Sequence, residues 1–165
     1  MILRQATRSD VQWVAFRMRE TDRDELGAVN AAPDFATLVL ALCEAHGGKV
    51  HATAVIADDL VPVAIIITRL DRPRVMSVGM FATDRWPRVA FATSRWALGT
   101  LRPVLFSSGV HRLEAASIEG NTAAHRWLEF LGFRREAVMP KFGRNGETFY
   151  LYGMTDDVLS PCHAA

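Results

Sequence analysis

Apolar residues in the first part of the chain recur mainly at the spacing of amphipathic helices. After a short predicted strand at residues 1–6, the segment 7–10 offers hydroxyl and carboxylate groups that can cap a helix start. Apolar residues then follow at positions 11, 14, 15 and 18, on one face of a helix. Two further helices are predicted, one over residues 22–29 and one that Pro33 opens and Gly47 and Gly48 end.

The rest of the chain alternates β-branched runs with helical stretches. Residues 50–56 and 61–70 predict paired strands joined at Asp58 and Asp59, and residues 74–83 predict a further strand. A long helix is predicted over residues 89–106, although Gly99 and Pro103 weaken it. A strand at 111–118, a helix at 121–131 and a strand at 133–139 follow, and the dipeptide 145–146 predicts a turn into a last strand at 148–154. Helices that separate strands imply crossovers between parallel neighbours, and hairpins imply antiparallel pairs. The sequence therefore predicts an α/β fold with a mixed sheet.

Composition narrows the class of protein. The chain has 165 residues, half of them hydrophobic, which predicts one domain over residues 1–158 and a disordered tail over 159–165. Nineteen basic and 18 acidic residues give a net charge of +1, so no nucleic-acid partner is expected. No apolar stretch approaches the roughly 18–20 residues of a membrane helix, and no membrane partner is expected. Two distant cysteines predict no metal site, and without a signal-peptide pattern a cytoplasmic, reducing location is expected.

The last third of the chain carries motifs that resemble one superfamily. A strand at 111–115 leads to the helix start Asn121-x-x-Ala124, then to a Gly132-Phe133 exit and a closing hairpin that ends at Tyr152. These features resemble the GNAT acyl-CoA N-acyltransferases. The resemblance implies an α/β GNAT fold, with a mixed, mostly antiparallel central sheet of six to seven strands, helices on both faces and a splayed cofactor cleft.

The resemblance implies an N-acetyltransferase that moves an acetyl group from acetyl-CoA to a primary amine by direct attack. The acceptor would be a small molecule or a protein amine, and the chain could form a homodimer. Glu25 is the first choice for the general base, because the second helix commonly lines the acceptor side in this family. Asp22 and Asp24 are alternatives. These carboxylates could instead pair with Arg19 and Arg23 on a solvated helix face.

The cofactor contacts carry over to named positions, but two of them depart from the family pattern. Pro87 lacks an N–H, and Arg88 stands where a glycine would let the pyrophosphate approach. Either the Arg88 guanidinium replaces the lost amides or CoA binding is weak or absent. Leu128, seven residues after Asn121, replaces the tyrosine that protonates the departing thiolate in many family members. The implied cofactor-binding residues are Phe81, Ala82, Thr83, Arg85, Arg88, Val89, Ala90 and Asn121.

A second resemblance supports an alternative role. Residues 18–26 are similar to the Arg-x-x-Asp-x-x-Glu helix of GNAT-like proteins from phages and prophages, some of which are virion components. Trp127 also suits that group. The alternative is therefore a catalytically weak or silent GNAT-fold component of a phage-type assembly, located in a virion or particle.

Three other groups of residues carry side chains capable of chemistry or stacking. Glu114 is predicted to form an ion pair at a strand edge. His111 and His125 could titrate near neutrality, but a surface or hydrogen-bonded histidine is the commoner case. The four tryptophans are expected in the core or at an interface and not as a stacking platform.

Overall fold

Side-chain caps begin the first helix at the predicted segment and the third helix at Asp34, one residue after the Pro33 that is predicted to open it. The computed structural model describes residues 1–49 and 51–159, without the side chains of residues 158 and 159. Thr7 and Asp10 form a reciprocal capping box, and Asp34 accepts a hydrogen bond from the Thr37 N–H at 2.8 Å. The first half of the chain contains β1 (Ile2–Gln5), α1 (Arg8–Phe16), α2 (Glu20–Val29), α3 (Phe35–His46), β2 (Ala52–Ile56), β3 (Pro62–Arg72) and β4 (Val75–Ala82).

The second half follows the predicted order of helices and strands, with one change in the long helix. The helical stretch is divided by a π-helical turn over Ala97–Leu101, which contains Gly99. The tail over residues 160–165 lies outside the described residues. The elements are a 3₁₀ turn (Trp86–Arg88), α4 (Ala90–Trp96), the π turn, α5 (Arg102–Ser107), β5 (Arg112–Ile118), α6 (Thr122–Phe130), β6 (Arg134–Met139), β7 (Phe149–Thr155) and a 3₁₀ turn (Asp156–Leu159).

The seven strands form one sheet in the order β1-β2-β3-β4-β5-β7-β6. Neighbouring strands are antiparallel except for β4 and β5, which are parallel. That parallel pairing runs only from Val75 opposite Arg112 to Ser77 opposite Glu114. Beyond these residues the two strands are no longer paired, and a gap opens between them. The predicted mixed, mostly antiparallel sheet with a splayed cleft is therefore confirmed.

Helices cover both faces of this sheet, as the alternation of side chains along the strands requires. Ala54 of β2 and Ile65 of β3 belong to a core cluster with residues of α1 and α3. Their neighbours Val55 and Ala64 point the other way, into a cluster that includes Trp86. A third cluster joins α5 and α6 to β5 and β7. The gap between β4 and β5 thus lies where helices pack above and below the sheet.

Candidate active site

A cavity of about 180 Å³ occupies the gap between β4 and β5. One end, called here the polar end, is lined by Arg19, Asp22, Glu25, Ser117 and Asn121. The other end, called here the apolar arm, extends under the π turn and α5. Its walls include Leu98, Leu101, Leu105, Leu131 and Phe133, with Arg102 beside them. The cavity therefore joins a charged, hydrogen-bonding end to a hydrocarbon-lined end.

The Glu25 carboxylate is held at the polar end by two side chains from the far side of the gap. Its Oε2 accepts a hydrogen bond from Asn121 Nδ2 at 2.9 Å and from Ser117 Oγ at 3.1 Å. Burial raises the pKa of the Glu25 carboxyl, while hydrogen bonds from Asn121, Ser117 and the Ile118 backbone oppose that rise. The result is a fixed carboxylate whose pKa is moved toward neutrality.

The Asn121 side chain forms hydrogen bonds with two neighbours at once. Its Oδ1 accepts the Ala124 N–H at 3.2 Å, which caps α6 as predicted, and its amide nitrogen donates to Glu25. The residue is 7% exposed, so these contacts form away from bulk water. The start of α6 and the middle of α2 are thereby connected across the cavity.

The two alternative carboxylates have different surroundings. Asp22 is 4% exposed and pairs with Arg19. It also accepts the Ala82 N–H at 2.7 Å, so it ties α2 to the end of β4. Asp24 is exposed, and Arg23 lies over the Phe35 ring at 4.1 Å from its centre. The predicted Arg19 pairing exists, but it lies within the protein and not on a solvated face.

The open edge of β4 at the cavity is formed by Val78, Gly79 and Met80, which come just before the predicted cofactor strand residues. The backbone groups of Ala82 and Thr83, two of the three predicted strand residues, form hydrogen bonds with other parts of the protein. The Ala82 N–H binds Asp22, the Ala82 carbonyl accepts the Arg19 N–H, and the Thr83 N–H donates to the Val63 carbonyl. Phe81 is fully buried among α1 and α3. A role of these three residues in cofactor binding remains a prediction.

The predicted pyrophosphate loop folds as a tight turn in which the amides of residues 85, 86, 88 and 89 bond internally. The Trp86, Arg88 and Val89 N–H groups donate to carbonyls of residues 83, 85 and 86, and the Arg85 N–H donates to the Thr83 hydroxyl at 3.3 Å. The Arg85 guanidinium pairs with Asp59. Arg88 is exposed and makes no ion pair within the described part of the chain. Val89 is buried, and Ala90 begins α4. The charged group left to meet an anion in this loop is the Arg88 side chain.

Two tryptophans and Leu128, which the sequence places in other roles, complete the cavity walls. Trp86 and Trp127 pack edge to face with ring centres 5.3 Å apart, and the Trp127 indole N–H donates to Ser94 Oγ at 2.8 Å. Leu128 is 7% exposed and lines the cavity. The chain's two tyrosines, both on β7, are not among the lining residues. The cavity therefore presents no phenol near the polar end.

Other predicted side chains lie outside the cavity. Glu114 pairs with Arg112 and Arg72 at 2.7 Å, which confirms the predicted ion pair, although Glu114 lies where β5 is paired on both sides and not at a strand edge. His125 is 9% exposed, and its Nε2 lies 3.0 Å from the Ile118 carbonyl. The sequence missed Ser117, although a signal existed. The buried positions Leu113 and Ala115 alternate with polar ones along the predicted strand, and position 117 continues that buried face.

The described residues contain neither a metal-binding group of side chains nor a membrane-spanning helix. No three histidine, cysteine or acidic side chains in residues 1–49 and 51–159 converge as a metal-binding group. Within the same ranges, no helix has both the length and the apolar character needed to cross a bilayer.

Comparison with solved structures identifies the fold. No protein-family model matches the sequence, and no curated protein matches it. A GNAT-family acetyltransferase from Bacillus anthracis superposes with a TM-score of 0.72 at 18% identity, covering 94% of each chain. A ribosomal-protein-S5-alanine acetyltransferase from Vibrio fischeri gives 0.65 at 20%, covering 96% of this chain and 94% of the other. A phosphinothricin acetyltransferase from Sinorhizobium meliloti, in complex with AcCoA, gives 0.62 at 13%, covering 99% and 94%. The chain therefore has the GNAT fold.

Proposed function

We propose that this protein transfers an acyl group, acetyl in the simplest case, from its CoA thioester to an amine, with Glu25 as the general base. The observation that carries the proposal is the Glu25 carboxylate. It is fixed by Asn121 and Ser117 beside the gap where β4 and β5 separate. The similar solved structures are acetyltransferases, one of them in complex with AcCoA, which supports the same reading. The acceptor is a small-molecule or protein amine.

Glu25 suits the task of removing a proton from an ammonium group. A general base acts best when its pKa lies near the working pH, and burial raises the pKa of this carboxyl from its ordinary value. The hydrogen bonds from Asn121 and Ser117 hold the Glu25 side chain in one rotamer. The carboxylate oxygen that accepts the proton therefore keeps a constant position relative to the substrate amine. Asp22 is less suited, because its carboxylate is already bound to Arg19 and to the Ala82 N–H.

The open edge of β4 suits the amide-containing arm of CoA. Val78, Gly79 and Met80 line the cavity along the part of β4 that no longer pairs with β5. Strand edges present backbone N–H and carbonyl groups, which a peptide-like chain can bind as an added strand would. A backbone N–H at this edge can also donate to the thioester oxygen as negative charge develops there.

The bond changes balance without a further reactant. The ammonium group loses one proton to Glu25, which returns it to solvent, and the free amine nitrogen forms a bond to the thioester carbon. The carbon–sulfur bond then breaks, and the nitrogen loses its second proton to solvent through Glu25. CoA leaves as a thiolate and takes up one proton from solvent. Leu128 offers no proton at this step, but thiols ionise near pH 8.5, so a thiolate is a tolerable leaving group. The missing tyrosine is therefore compatible with turnover.

The pyrophosphate would be held by the charge of the Arg88 side chain, because the N–H groups of residues 85, 86, 88 and 89 bond within the turn. Arg88 is the exposed cation of the loop, while the neighbouring N–H groups already bond within the turn. A single guanidinium can form charge-assisted hydrogen bonds with phosphate oxygens. We therefore expect CoA affinity to be modest and to fall as salt concentration rises.

A thiol-release assay tests the proposal. Purified protein, acetyl-CoA and a panel of primary amines and peptides with free N-termini are incubated, and free CoA is measured with a disulfide reagent. Expected is amine-dependent release that is lost in Glu25→Gln and kept in Glu20→Gln, because Glu20 is an exposed carboxylate on the same helix. No amine-dependent release, together with no binding of acetyl-CoA at millimolar concentration, would contradict the proposal. That outcome would favour the alternative of a silent structural component.

A further inference from the structure

The apolar arm of the cavity contains one charged side chain without a partner. Arg102 lines the arm, and its Nε is buried with no hydrogen-bond acceptor among the described residues. The residue as a whole is partly exposed, and it forms no ion pair in the part of the chain that the structure describes. A buried guanidinium N–H without an acceptor is costly, so a ligand oxygen that met it would gain a charge-assisted bond.

The fold holds this guanidinium beside the end of α6. A Cβ built on Gly132 would lie 3.5 Å from Arg102 Nη1, which places the guanidinium beside the end of α6. Gly132 has φ +98°, a backbone conformation that favours glycine and leaves this space open. The carbonyl end of a helix favours a nearby cation, which explains why the charge is tolerated there. The walls before it, Leu101 and Leu131 among them, are hydrocarbon.

The distance between the two ends of the cavity exceeds the size of an acetyl group. Ser117 at the polar end and Leu113 in the apolar arm lie four residues apart on β5, which spans about 13 Å of extended strand. An acyl carbon positioned for attack beside Glu25 leaves the arm between it and Arg102 to be filled. A chain of several methylene groups with an anionic end matches both the hydrocarbon walls and the terminal guanidinium.

We propose that the apolar arm binds the acyl group of a dicarboxylic acid monothioester, with its free carboxylate on Arg102. This inference rests on the proposed function, because it assumes that a CoA thioester occupies the gap. The transfer itself is unchanged. The bond to the amine forms at the thioester carbon, the carbon–sulfur bond breaks, and the distal carboxylate takes no part in the reaction. Arg102 is thus a specificity-determining residue and not a catalytic one.

The test is a calorimetric titration of the full chain with two CoA thioesters whose acyl groups have the same number of carbons. Glutaryl-CoA and pentanoyl-CoA differ in the charged end of the acyl chain, and acetyl-CoA serves as the short reference. Glutaryl-CoA is expected to bind about tenfold to a hundredfold tighter than pentanoyl-CoA. Arg102→Met should remove that preference, so that glutaryl-CoA and pentanoyl-CoA bind the variant equally. Arg95→Met is the matched control, because Arg95 is an exposed arginine of α4 outside the cavity, and it should keep the preference.

The outcomes separate this inference from the one it rests on. If all three thioesters bind but pentanoyl-CoA binds as tightly as glutaryl-CoA, or if Arg102→Met keeps the preference, the dicarboxylic assignment is wrong and the proposed function stands. If none of them binds, both are wrong. The comparison of the two thioesters on the unmodified chain needs no variant, so poor folding of Arg102→Met would not leave the inference untested. Arg102→Gln provides a second neutral side chain.

Discussion

Replacing Glu25 with glutamine removes the proposed base while keeping the size and hydrogen-bonding capacity of the side chain. The glutamine carbonyl can still accept from Asn121 or Ser117, so the cavity should keep its shape. Loss of a general base lowers a rate by about 10²- to 10⁴-fold, which corresponds to about 3 to 5 kcal/mol of barrier. We therefore expect kcat/KM to fall by that factor, with acetyl-CoA affinity unchanged.

The same substitution should affect stability with a definite sign. The folded pKa of Glu25 is raised, so the folded state binds its proton more tightly than the unfolded state does. The stability this gives is present below the unfolded pKa of about 4.3 and is lost as pH rises through the folded value. At pH values above that window the native protein carries the cost of a buried anion that a glutamine does not. The free energy of unfolding of Glu25→Gln should therefore equal or exceed that of the native chain in alkaline buffer.

Two measurements check this reasoning. Thiol-release kinetics give kcat/KM for the native chain, Glu25→Gln and the exposed control Glu20→Gln. Urea unfolding in acidic and in alkaline buffer gives the free energy of unfolding for each. Glu25 is not the base if Glu25→Gln retains kcat/KM within a few-fold of the native value. A variant that is less stable than the native chain in alkaline buffer would show that the buried carboxylate is favoured as an anion, against the direction argued above.

Three further predictions concern other parts of the molecule. Asn121→Asp should keep the cap of α6 but place a second carboxyl against Glu25. The acidic limb of the pH–rate profile should then move to higher pH. Arg88→Gln should weaken CoA binding about tenfold and reduce its salt dependence, measured by calorimetry, whereas Arg95→Gln should change neither. The pKa of His46 is lowered by burial to about 4, so the free energy of unfolding should rise with pH between about 4 and 6.5. Replacing His46 with glutamine should flatten that rise in urea titrations.

Local sequence signals predicted most of the fold. The Thr7 cap, the helical spacing of α3 and the β-branched runs of β2 and β3 each depend on residues close together in the chain, and each predicted element is confirmed. The sequence predicts a long helix over residues 89–106 that Gly99 and Pro103 weaken. The structure instead contains the π turn, because the pattern of apolar residues does not specify whether a carbonyl is bonded four or five residues on.

The site was less accessible to sequence reasoning, because its contacts join distant parts of the chain. Glu25 and Asn121 were each singled out, but their hydrogen bond connects residues 96 positions apart, and no local pattern specifies it. Arg102 belongs to none of the motifs found in the sequence. Its significance comes from the cavity beside it and from the absence of an acceptor for its Nε in the described residues.

The departures from the family pattern were visible in the sequence, but their physical consequence was not. Pro87 and Arg88 indicated that the loop lacks the usual glycine. The structure adds that the amides around them donate to carbonyls within the turn. The sequence leaves two possibilities, a guanidinium that replaces these amides or a site that binds CoA weakly. The exposed Arg88 side chain decides between them.

The central claim is that a CoA thioester binds in the gap between β4 and β5, next to Glu25. Backbone amide NMR during titration with acetyl-CoA tests it most directly, because each amide reports on its own surroundings. The largest shifts are expected at Val78, Gly79 and Met80 on one side of the gap and at Ala116 and Ser117 on the other. An absence of shifts at millimolar acetyl-CoA, or shifts confined to residues outside the gap, would contradict the claim.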